Sequence, residues 1–140
     1  MSKNFKIVNI DHVAFATKDI QTTKKIFTDI LGMRSKNIEH VDNEKVKVLK
    51  LHTDGSNTAL ELLQPEYDND TINKFINKKG NGLHHIALEV DNLKNLIKHL
   101  NSLSIPLIYP NPKIGSDNKL ITFIHPKYST GMLIELCQKQ

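Results

Sequence analysis

The sequence has no tryptophan, one cysteine and one arginine. A single cysteine, Cys137, cannot close an intrachain disulfide, and it excludes a thiolate zinc cage of the CxxC type. A single arginine, Arg34, among 19 basic residues leaves little material for bidentate phosphate forks or base-edge readout. The lysines are scattered, with no run longer than the pairs Lys24-Lys25 and Lys78-Lys79. A basic stripe interleaved with aromatics is therefore missing, and nucleic-acid binding is not expected. No apolar stretch approaches the roughly 20 residues of a membrane-spanning helix. Residues Met1 to Asp11 lack the apolar core of a secretory signal. A soluble, cytoplasmic protein with no membrane partner is expected.

What is present suits one ordinary domain, 1–140. The 140 residues are 39% hydrophobic and 24% charged, enough to bury a core. The net charge of +4 reads as a solvated lysine surface, or as attraction for an anionic ligand.

The chain repeats itself. Asp11-His12-Val13-Ala14-Phe15-Ala16 resembles His84-His85-Ile86-Ala87-Leu88-Glu89, and Leu60-Glu61-Leu62-Leu63-Gln64 resembles Ile134-Glu135-Leu136-Cys137-Gln138. His12 and Glu61 are 49 positions apart, and His85 and Glu135 are 50 apart. Two motifs in the same order at matched separation imply two copies of one module, about 7–64 and 83–138, joined by a linker over 65–82.

Local patterns give each copy the same elements. Residues 8–17 and 84–90 alternate as strands, with His12, Ala14 and Ala16 on one face of the first and His85, Ala87 and Glu89 on one face of the second. Helical spacing follows: Ile20, Thr23, Phe27, Ile30 and Leu31, with Asp19 as N-cap and Gly32 as stop, then Leu93, Leu96, Ile97, Leu100 and Leu103, ended by Pro106. Val46 to His52 pairs with Thr58 to Leu63, and Leu120 to His125 pairs with Met132 to Cys137. Thr71 to Lys79 forms a short helix in the linker, ending at Gly80. Each half is then a strand, a helix and two or three strands.

Glu61 shares its strand face with Ala59 and Leu63, and Glu135 with Leu133 and Cys137. A carboxylate turned inward among such neighbours is costly unless it is paired or binds a metal. If the halves pack about a pseudo-two-fold axis, His12, Glu61, His85 and Glu135 converge. Two imidazoles and two carboxylates can hold Zn²⁺, Ni²⁺, Co²⁺, Mn²⁺ or Fe²⁺ with positions left open. His84 alternates to the opposite face and reads as structural. His40, His52 and His99 read as surface or loop residues, His125 as a loop residue that could border a pocket, and Cys137 as a poor nucleophile.

These stretches resemble the vicinal oxygen chelate superfamily, which includes glyoxalase I, extradiol dioxygenases and bleomycin-resistance proteins. Within it they are most similar to the methylmalonyl-CoA epimerase family. The resemblance is carried by Ile10-Asp11-His12-Val13-Ala14, Leu60 to Pro65, Gly82-Leu83-His84-His85 through Val90, Pro112-Lys113-Ile114-Gly115, and His125-Pro126-Lys127 followed by Gly131 to Leu136. Glyoxalase I relatives carry Asp-Pro-Asp-Gly where this chain has His125-Pro126-Lys127. The resemblance implies an α+β fold of two pseudo-symmetric βαβββ modules, forming a curved, eight-stranded open sheet around one divalent ion (Co, Zn, Ni or Mn). It also implies the metal ligands His12, Glu61, His85 and Glu135, an acyl-CoA thioester as substrate, and a homodimer. The implied reaction moves the proton between a thioester carbonyl and a carboxylate, with Glu135 as one base and Glu61 or Glu44 as the other. Lys127 lies in a matched motif and is the candidate contact for the CoA. The chain departs from the family at Asn43-Glu44-Lys45, where many epimerases carry Glu-Gln-Gly, so the glutamate is displaced by one position. Glyoxalase I activity and non-catalytic ligand binding are the alternatives the resemblance leaves open.

Overall fold

The computed structural model describes residues 4–140; residues 1–3 of the expected span 1–140 lie outside the described residues. The chain divides into two compact units, His12–His84 and a second that joins the segment up to Asp11 with His85–Gln140.

In the first unit, strand β1 (Ile7–Ala16) leads into helix α1 (Ile20–Lys25) and strands β2 (Arg34–Ser35), β3 (Glu39–Val41), β4 (Val46–His52) and β5 (Ala59–Pro65), followed by helix α2 (Asp70–Lys79). The strand order is β2-β4-β5-β1, with β3 also on β4. β1 runs parallel to β5, and β4 runs antiparallel to it. Alternation gives the sheet two apolar faces. Ala14, Val46, Val48 and Leu63 pack with Ile72 of α2, while Leu49, Leu51 and Leu62 pack with Ile20 of α1, Phe15 and Phe27.

The second unit repeats this plan with β6 (Gly82–Val90), α3 (Leu93–Ser102), β7 (Lys113–Ile114), β8 (Leu120–Ile124) and β9 (Ile134–Gln138). Its order is β6-β9-β8-β7, with β6 parallel to β9 and β8 antiparallel to it. Val90, Leu93, Leu96, Leu100 and Leu136 form the face beneath α3, and Ile121, Phe123 and Cys137 form the other. The N-terminal segment belongs here. Phe5 packs on the α3 core, the Lys6 N–H donates to Asp91 at 2.7 Å, and Lys119 pairs with Asp11 at 2.5 Å. The segment from Phe5 to Asp11 is thus held by contacts far along the chain.

The repeated glutamines anchor the helices. Gln64 Oε1 accepts the Ile20 N–H at 2.9 Å, and Gln138 Oε1 accepts the Leu93 N–H at 2.6 Å. Each module therefore ties its last strand to the first turn of its own helix, satisfying a donor that has no partner within the helix. Asp19 caps α1 as expected, accepting from Gln21 and Thr22, and Asn92 caps α3 through Asn95. The first helix departs from its expected stripe. Beyond Lys25 it widens into a π-helical segment, Ile26–Ile30, so Ile30 and Leu31 rotate outward and are 75% and 63% exposed. Leu103, the expected last member of the second stripe, is likewise exposed, because α3 stops at Ser102, ahead of Pro106.

Candidate metal centre

Parallel pairing sets Ala14 opposite Glu61 in the first unit and Ala87 opposite Glu135 in the second. Both alanines are fully buried, and each leaves room for the glutamate to lean toward the histidine two residues earlier on the same strand face. Glu61 Oε1 comes within 3.5 Å of His12 Nε2. Glu135 Oε1 comes within 3.3 Å of His85 Nε2. All four side chains are buried. The sequence pairing of His12 with Glu61 and of His85 with Glu135 is thus a spatial pairing within each unit.

These separations exceed the roughly 2.7–3.2 Å of a closed N–H···O hydrogen bond. Two ligands about 2.1 Å from one ion in tetrahedral geometry sit about 3.4 Å apart. Imidazole and carboxylate donors at this spacing fit a divalent first-row metal and offer no soft thiolate.

The two glutamates face different neighbours. Opposite Glu61 on β4 lies Lys50, 6% exposed, with its ammonium 3.9 Å from Glu61 Oε2. Opposite Glu135 on β8 lies Phe123, whose ring meets His85 edge-on at 5.7 Å and Tyr109 at 5.8 Å. Sequence reasoning missed Lys50. The available signal was alternation, since Lys50 continues the inward row of Val46 and Val48 and so cannot be one more surface lysine.

The other candidates fall as follows. Glu44 closes a short turn, Asp42–Glu44, at the head of β4, and its carbonyl accepts from Asn69 Nδ2 at 2.9 Å. Glu44 is half-buried and Asn43 is exposed, so of the two residues Glu44 is the one directed inward. Lys45 takes the left-handed conformation there (φ 51°). Lys127 donates its backbone N–H to His125 Nδ1 at 3.0 Å and, with Pro106, Leu107, Ile108 and Tyr128, lines a shallow cavity of about 290 Å³. His84 stacks edge-on against Phe75 at 5.1 Å and His99 lies against Phe5 at 5.4 Å, both structural contacts. Burial, with the nearby charges of Asp11 and Glu135, pushes the Cys137 thiol well above its ordinary value, so it is no nucleophile. Among the described residues no helix is long and apolar enough to cross a membrane.

The chain belongs to the glyoxalase/bleomycin resistance protein/dioxygenase superfamily, whose match covers residues 11–123. Its fold class is mixed α+β, that of the vicinal oxygen chelate fold. Several of its relatives are named methylmalonyl-CoA epimerases. The mitochondrial enzyme of Dictyostelium discoideum is 35% identical over 134 residues, covering 95% of this chain and 80% of that protein. The crystal structure of the Mycobacterium tuberculosis epimerase aligns with TM-score 0.92 at 31% identity, over 100% of this chain and 93% of that one. A methylmalonyl-CoA epimerase solved with methylmalonyl-CoA and ammonium aligns with TM-score 0.87 at 28% identity, over 96% of each chain.

Proposed function

We propose that this chain is a metal-dependent methylmalonyl-CoA epimerase, its two units forming one domain that shares one divalent ion per chain. The observation that carries the reading is the doubled His–Glu pair, His12–Glu61 and His85–Glu135, buried and in equivalent register. The resemblance to the family supports the reading that both pairs, His12–Glu61 and His85–Glu135, serve a single ion. Glu135 is the fourth ligand.

When bound, the ion would supply Lewis acidity to the thioester carbonyl and carboxylate oxygens, lowering the energy of the enolate. Glu135 takes the proton from C2, and the C–H electron pair moves into the thioester carbonyl. A second carboxyl group, Glu44 or Glu61 in its protonated form, gives its proton to the opposite face and is left as the carboxylate, while Glu135 holds the proton it took. Burial of Glu61 and Glu135 keeps water from competing for the carbanion. Lys127 contacts a phosphate of the CoA carrier, and the lysine-rich surface draws the anionic thioester inward. The protein works as a cytoplasmic homodimer.

Proton exchange tests this directly. In deuterated water the purified protein, with about one divalent ion per chain, is expected to exchange the C2 proton of methylmalonyl-CoA. Glu135→Gln is expected to slow exchange at least a hundredfold. A stoichiometric metal with no exchange overturns the epimerase reading, and turnover of the hemithioacetal of methylglyoxal and glutathione in its place would assign glyoxalase I.

A further inference from the structure

The turn that carries Glu44 is clamped by the chain that leads into α2. The side-chain amide of Asn69 donates to the Glu44 carbonyl at 2.9 Å and to the Lys45 carbonyl at 3.2 Å. The Glu66 N–H donates to the same Lys45 carbonyl at 2.9 Å, and the Lys45 ammonium pairs with Asp68 at 3.4 Å. Lys45 is the residue in the left-handed region, a conformation that persists in a residue with a side chain only where its neighbours hold it. Asn69 is 8% exposed, so its amide hydrogen bonds are sheltered from water.

Asn69 serves α2 at the same time. Its Oδ1 accepts the Ile72 N–H at 3.0 Å and caps the helix. Ile72 packs with Ala14, Val46, Val48 and Leu63. Ala14 lies opposite Glu61, and Leu63 is on the same face of β5 as Glu61. One side chain therefore ties the Glu44 turn to a helix seated on the face that carries Glu61. The double task needs an amide, which offers an acceptor and two donors. An aspartate caps equally well but brings no N–H, and a serine is too short to reach both carbonyls.

We propose that Asn69 is a positioning residue for proton transfer. Through the backbone of Glu44 and Lys45 it holds the Glu44 carboxyl group as the second proton carrier. The inference rests on the epimerase reading above, and it takes Glu44 over Glu61 because Glu61 already serves there as a ligand. Without the clamp, Lys45 leaves the left-handed region and the turn re-aims Glu44. The clamp is no part of either His–Glu pair. The substrate face served by Glu135 therefore keeps its chemistry, and the opposite face loses its proton carrier.

Each epimer of methylmalonyl-CoA is incubated separately in deuterated water with wild type, Asn69→Asp and Asn69→Ser, loaded with the same divalent ion. Deuterium at C2 and inversion are followed on the same samples. Both variants keep a cap for α2, so they are expected to melt within about 5 °C of wild type. Wild type is expected to invert both epimers. In both variants inversion is expected to fall at least tenfold. The epimer whose C2–H faces Glu135 is expected to take up deuterium without inverting: Glu135 removes the proton, trades it for a solvent deuteron and returns that to the same face. The other epimer is expected to lose uptake at least tenfold, and Glu44→Gln is expected to show the same split. A folded variant that inverts at the wild-type rate overturns the inference and leaves the epimerase reading standing. Equal loss of uptake from both epimers overturns it too, because general damage does not choose a face. Loss of cooperative melting in both variants makes Asn69 a folding residue and overturns it as well. Normal inversion by Glu44→Gln removes Glu44 as a proton carrier, and the inference with it. A wild type that exchanges neither epimer overturns the epimerase reading itself.

Discussion

Glu61 and Leu62 are adjacent in sequence and serve opposite faces of β5. Replacing Leu62 with alanine should therefore cost stability and spare the metal centre. Leu62 is fully buried against Ile20, Leu49 and Leu51, beneath α1. Truncating such a leucine removes its transfer free energy and leaves a cavity that a strand hydrogen-bonded on both sides cannot collapse. The cost is about 3 kcal/mol, within the roughly 2–5 kcal/mol of leucine-to-alanine changes in cores. For 140 residues the unfolding entropy near the midpoint is about 0.3 kcal/mol/K, so Tm should fall by about 10 °C. Calorimetry of the metal-free protein measures the shift, and a Co²⁺ titration at 20–25 °C below that midpoint measures the centre. The variant is expected to bind about one Co²⁺ per chain with affinity within threefold of wild type. A Tm loss under about 3 °C would show that Leu62 is not a core residue. Loss of Co²⁺ from a protein that still melts cooperatively would show that the two faces of β5 are not independent, and the assignment of Glu61 by strand alternation would fail.

The Lys119–Asp11 pair sets an alkaline limit. Burial pulls the Lys119 ammonium down, but the hydrogen bond and charge of Asp11 outweigh it and hold the group above its ordinary 10.5. Its contribution is thus complete below about pH 10.5 and lost as pH rises through the higher folded value. Lys119→Met should cost about 2 kcal/mol at pH 7, below the 3–5 kcal/mol of a fully buried pair because the ammonium keeps some contact with water. Denaturant melts should show the wild type losing that advantage above pH 10.5; a difference independent of pH would refute the pairing. Lys127→Ala should raise KM for the CoA thioester about fivefold with kcat unchanged, and the effect should vanish with a short thioester lacking phosphates. An equal KM for wild type and variant would remove Lys127 from the site.

The halves of this protein were legible because a repeat is a comparison the chain makes with itself. His12 with Glu61 and His85 with Glu135 stand out only through their matched separations, and strand alternation then places each pair on the face that carries Ala14 or Ala87. Helix starts were legible for a local reason, since Asp19 reaches donors two and three residues away. The π-helical turn was not legible, because Ile26 to Ile30 keep an apolar spacing that suits an ordinary helix. The short strands β2, β3 and β7 hold two or three residues each, too few to display a period.

By itself, then, the sequence determined two copies of a strand–helix–strand module, the four side chains worth watching, and the exclusion of disulfide and thiolate chemistry. Those are properties of spacing and composition, which a linear chain states outright. The tertiary structure decided that Gln64 and Gln138 hold the helices, that the segment before His12 packs with the second unit, and that Lys50 and Phe123 stand behind otherwise equivalent glutamates. Each of these is a contact across an antiparallel register or a long chain separation. Register depends on how a whole strand settles its apolar face, and no residue announces its cross-strand neighbour in advance.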